Sequence, residues 1–141
     1  MKKKNILFEF DDEISNECIL WGIISSAGHV KLIHFLNKTG FFDFERIENV
    51  EYNDELGLSY FICYSYYDEE TESKYKLLVN RGSNGTIDKK LKNIDIVLSL
   101  ITESNEIIER AFDIIKNHTL VEAIFEIDIS KQSQKFIKIL N

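Results

Sequence analysis

Two runs of almost unbroken apolar residues, each followed by an amphipathic stretch at helical spacing, restrict what this chain can become. The first is Cys18–Ile24 (CILWGII), with SAGHVKLIHFLNK after it. The second is Ile94–Ile101 (IDIVLSLI), with SNEIIERAFDIIKN after it and TLVEAIFEID beyond that. A short apolar run rich in β-branched residues fits a strand covered on both faces. Gly22 inside the first run points to a bulge or to the close approach of another backbone.

After the second run, Ser104 stands where an N-cap belongs, and Glu106 suits the positive end of the helix dipole. Ile107, Ile108, Ala111, Phe112 and Ile115 form one apolar stripe. Glu109 and Asp113 are like charges four residues apart, a small penalty offset by Glu106 with Arg110. In the first unit, Ser25 or Ser26 is expected to cap the helix and Gly40 to stop it. Thr119–Ile127 alternates, with Val121, Ala123, Phe125 and Ile127 on one side. Such a half-exposed strand belongs nearer a sheet edge.

Between these units lie a charged strand, Glu45–Tyr52, and a hairpin of Leu58–Tyr67 and Lys74–Asn80 joined by the acidic turn Asp68–Glu72. Asn5–Phe10 reads as a further N-terminal strand. In a β-α-β-β-α-β arrangement the strands that precede the two helices are the central pair, as the apolar runs require. The expected fold is therefore α+β: a mostly antiparallel sheet with two main helices on one face. Its ferredoxin-like core carries an extra hairpin and an N-terminal strand. The 141 residues form one domain, 1–141, with 130–141 as a C-terminal tail.

The net charge of −7 argues against general nucleic-acid binding, which needs a basic field. Lys2–Lys4 is not followed by the apolar core of a signal peptide, because Glu9, Asp11, Asp12 and Glu13 intervene, and no run has membrane-spanning length. The expected compartment is the cytoplasm. Cys18 and Cys63 sit in apolar runs and read as buried free thiols, as a reducing compartment allows.

No arrangement of residues carries recognisable catalytic, cofactor or metal chemistry, so the chain leans away from being an enzyme. His29 and His34 fall on different faces of a helix, and His118 ends another. The acidic turn lacks the alternating ligands and central glycine of a calcium loop. Two features suggest binding. Arg81, Gly82, Ser83, Asn84, Gly85 and Thr86 form a glycine-containing loop that can cradle an anion through backbone N–H groups, although Asn84-Gly85 is first a turn former. Tyr60, Tyr64, Tyr66 and Tyr67 exceed what one strand gives a core, and with Phe136 in the tail they are candidate interface residues. The expected function is protein binding or regulation with another protein or a second copy as partner; a small-ligand or anion-binding domain is the alternative.

The stretches LWGIISSAGHVKLIHFLNK, YFICYSYYDEE, NRGSNG, LKNIDIVLSLI and VEAIFEID resemble, in wording and order, the IPExxxVDY family of small bacterial proteins from the Bacteroidetes. The motif that names the family falls on Asp88–Ile96. Asp95 matches it and Ile94 replaces valine, while Lys89-Lys90 stands for Pro-Glu and Ile96 for the tyrosine. The resemblance implies a divergent member and a bacterial cytoplasmic protein. It supplies no activity, cofactor or catalytic residue.

Overall fold

The computed structural model describes residues 18–54, 57–81, 91–132 and 140. Its elements are β1 (Cys18–Ile24), α1 (His29–Lys38), β2 (Glu45–Asp54), β3 (Gly57–Asp68), β4 (Ser73–Val79), β5 (Ile96–Ile101), α2 (Asn105–Lys116) and β6 (Ala123–Ile127). The strands form one sheet in the order β2-β3-β4-β5-β1-β6, every neighbouring pair antiparallel.

The expected α+β class is what the chain adopts. β4, β5, β1 and β6 reproduce the ferredoxin-like strand order, and β2 with β3 extends the sheet beyond β4. The two apolar runs are central neighbours, paired from Cys18↔Ile101 to Ile23↔Ile96, and among the described residues β6 lies at one edge. The expected strand Asn5–Phe10 lies outside the described residues.

Strand alternation divides the core in two. Trp21, Ile23, Tyr75, Leu77, Ile96, Leu98 and Leu100 face the helices, which contribute Leu32, Ile33, Leu36, Ile107, Ala111 and Ile115. The opposite face is buried as well. Leu20, Phe61, Cys63, Leu78, Val97 and Ile127 pack there with Leu91, Ile94 and Leu140. The hydroxyl of Ser99 donates to the Leu140 carbonyl at 3.2 Å, which fixes Leu140 on this helix-free face.

Several local expectations change. Gly22 sits in unbroken register with β5 and β6, so it marks no bulge. The close approach is by side chains: a Cβ there would lie 2.8 Å from Ile94 Cδ1 and 3.2 Å from the Phe125 ring. Neither Ser25 nor Ser26 caps α1. The N-cap is Gly28, with no side-chain bond, because Ser25 is turned inward, donating its hydroxyl to the Leu120 carbonyl at 2.5 Å. Ser104 does cap α2, accepting from Ile107 N–H at 3.2 Å. Gly40 follows the C-cap of α1 at φ +83°, a left-handed conformation that favours glycine. β5 begins at Ile96 rather than Ile94, because Ile94 N–H closes a turn onto the Leu91 carbonyl. β6 begins at Ala123 rather than Thr119, because Val121 N–H closes a turn onto His118.

Candidate binding surfaces

β3 is longer than its neighbour β4. Their pairing begins at Cys63↔Leu78, so among the described residues the first part of β3 pairs with β2 alone as a two-stranded ribbon. This decides the fate of the tyrosines. Tyr64 lies under α1, 7% exposed, with its hydroxyl 2.9 Å from His29 Nδ1. Burial, and then the Arg46 charge, holds the His29 pKa below its ordinary value. Tyr66 is stacked on Tyr75, with ring centroids 5.3 Å apart, and also meets Phe44. Tyr60 and Tyr67 are exposed, 46% and 55%, but seven residues apart on an alternating strand they point to opposite faces. The tyrosines therefore do not make one patch. Phe136 lies outside the described residues.

Arg81 is committed to structure. Its guanidinium donates to the carbonyls of Lys92 and Asn80, and its Nη2 pairs with Asp95 Oδ1 at 3.3 Å. Asp95 Oδ2 accepts from Ser25 N–H at 2.9 Å. This network ties the β4–β5 connection to the loop after β1. The rest of the expected anion loop, Gly82 to Thr86, lies outside the described residues.

The thiols are poorly suited to nucleophilic work. Burial pushes the Cys18 pKa up to about 11 and raises that of Cys63, an effect that Lys76 partly offsets. Both thiols are free; Cys63 is buried and Cys18 partly so. Among the described residues no three His, Cys, Asp or Glu side chains converge as metal ligands would. No helix among them is long and apolar enough to cross a membrane.

Among the described residues, two concave surfaces stand out. The first is a groove of about 370 Å³ between α2 and the β1–β6 edge. Its floor is apolar: Ile19 and Trp21 from β1, Ile108 and Phe112 from α2. Trp21 and Phe112 meet edge to face at 5.4 Å. Its rim carries Glu109 and Asp113 from α2 and Glu126 from β6, all exposed and all acidic. Glu126 reaches the rim because it is the cross-strand partner of Trp21. The second is a cleft of about 460 Å³ at the far end of the sheet, between the β3–β4 turn and the β5–α2 loop. Sequence reading missed both, since each joins residues distant along the chain. The Glu109–Asp113 pair was the legible trace of the first.

No family model matches the chain, and no curated protein does. The resemblance to the IPExxxVDY proteins therefore stands on the quoted stretches alone. Its one matching motif position shared by name, Asp95, is the residue that holds Ser25 and Arg81.

Proposed function

We propose that this domain is a protein-recognition module, without catalysis of its own, whose α2–β6 groove receives a segment of a partner protein that carries an apolar anchor flanked by Lys or Arg. The observation that carries this reading is the groove itself, an apolar floor under a rim of three carboxylates. Among the described residues no cation lines the groove, so its three carboxylates repel one another, and Glu109 and Asp113 also weaken α2 slightly. A cation placed over the rim relieves that repulsion, while an aliphatic or aromatic side chain covers the partly exposed Ile19, Ile108 and Phe112, with the buried Trp21 directly beneath. Self-association through the same groove sets one acidic rim against another in a two-fold contact, so a second copy is the poorer occupant. The anion-binding alternative loses Arg81, whose guanidinium is already engaged with Asp95. As a member of the IPExxxVDY family the protein would be cytoplasmic, where such a partner is reached without secretion.

Trp21 is the only tryptophan in the chain and lies on the groove floor, so its emission reports occupancy. A short peptide of alternating lysine and leucine is expected to change that emission saturably, and added salt is expected to weaken the effect. An equal response to a glutamate–leucine peptide, or no saturable response at millimolar concentration, refutes the proposal.

A further inference from the structure

The cleft at the far end of the sheet combines features that the groove lacks. By register, Tyr67 pairs with Lys74 and Lys74 with Ile101, so these three side chains share the helix-free face and form one wall. Glu72, from the β3–β4 turn, and Glu103, from the loop before α2, also line the cleft. Turn and loop are locked together by a run of hydroxyls. Asp68 accepts from Thr71 at 2.8 Å, Thr71 and Ser73 lie 2.7 Å apart, and Ser73 donates to Thr102 at 2.9 Å. Thr102 also accepts from the Ser104 N–H at 3.2 Å. Ser73 and Thr102 are buried, so the cleft's width is set by the core rather than by solvent-exposed contacts.

The charges select the ligand. One ammonium, on Lys74, and two carboxylates, on Glu72 and Glu103, line the same cavity, and among the described residues none of them is held in an ion pair. A simple anion meets Lys74 but is repelled by both glutamates. A simple cation meets the glutamates but is repelled by Lys74. A ligand with both charges meets complementary groups at each end. The exposed Tyr67 ring and Ile101 then offer an apolar wall to the rest of it. The volume lies within the range of small-molecule sites, about 300–1,000 Å³.

The geometry points to a binding site for a free apolar α-amino acid, with the carboxylate on Lys74, the ammonium at the Glu72 and Glu103 carboxylates, and the side chain beside Lys74 against Tyr67 or Ile101. This site is independent of the α2–β6 groove, and either can fail without the other. Calorimetric titration of the full chain with leucine, methionine and phenylalanine tests it. Two leucine analogues serve as controls: 4-methylpentanoic acid, which lacks the ammonium, and 3-methylbutylamine, which lacks the carboxylate. At least one amino acid is expected to give saturable heat in the millimolar range, and neither analogue is expected to match it. Lys74→Ala and Glu103→Gln are each expected to weaken binding at least tenfold without changing the melting temperature. Lys74→Met replaces Lys74→Ala if the latter unfolds. No heat from any of the three amino acids overturns the inference. So does an analogue that binds as well as leucine, or binding that survives both substitutions.

Discussion

Replacing Gly22 by alanine tests how the sheet is packed. In most strands that change is favourable, by about 0.5–1 kcal/mol, because glycine loses more backbone freedom on folding. Here the new methyl group would stand 2.8 Å from Ile94 Cδ1 and 3.2 Å from the Phe125 ring. Carbon atoms prefer about 3.5–4.0 Å, so something must move. Phe125 is 40% exposed and can swing toward solvent, but Ile94 is 4% exposed and closed in. Overpacking of a closed site costs about 1–3 kcal/mol. The expected net result is a loss of about 1–2 kcal/mol, near 4 °C of melting temperature for each kcal/mol in a chain of this length.

Ile94→Val removes the obstructing methyl at a cost of about 0.5–1.5 kcal/mol on its own. The double variant is expected to be more stable than the two separate losses imply, by about 1 kcal/mol. Urea unfolding of the wild type, both single variants and the double variant measures this cycle. A Gly22→Ala protein as stable as wild type, or losses that simply add, would refute the account of β1, β6 and Ile94.

Two further outcomes follow from the loop network and from His29 of α1 beside Tyr64. Asp95→Ala strands the buried Ser25 N–H and is expected to cost about 1–2 kcal/mol, whereas Arg81→Ala, removing the half-exposed end of the pair, costs less than about 1 kcal/mol; urea unfolding separates them. The folded protein disfavours protonated His29, whose pKa is held below the ordinary 6.5, so the unfolded chain binds more protons and stability falls as pH drops through and below that value. His29→Gln is expected to flatten the stability profile between pH 7 and 5, and an unchanged slope contradicts the assignment.

The sheet was legible where one residue's neighbours along the chain determine its environment. An unbroken apolar run can only be satisfied with cover on both faces, which placed β1 and β5 at the centre and the half-polar β6 nearer an edge. Alternation along β3 likewise implied that its tyrosines face two ways. It did not reveal that α1 covers Tyr64 or that Tyr75 and Phe44 take up Tyr66, since those partners come from other elements. Gly22 signalled a close approach correctly but not its agent, because side-chain packing from Ile94 and Phe125 depends on register. The groove was hidden for the same reason. Glu109 and Asp113 are neighbours on a helix, but Glu126 joins them only through its pairing with Trp21. A like-charge pair on an exposed helix face is ordinarily a minor flaw. Three carboxylates around an apolar floor are what the proposed recognition rests on.

The reading of that surface rests on one comparison. Glu109→Gln, Asp113→Asn and Glu126→Gln together leave the floor intact and remove the rim's charge. The titration of the lysine–leucine peptide, followed through Trp21 at low salt, is to be run on this triple variant and on the wild type. The account predicts binding weaker by tenfold or more, equivalent to about 1.4 kcal/mol, from a free protein no less stable than wild type. Equal affinity in the two proteins would contradict it.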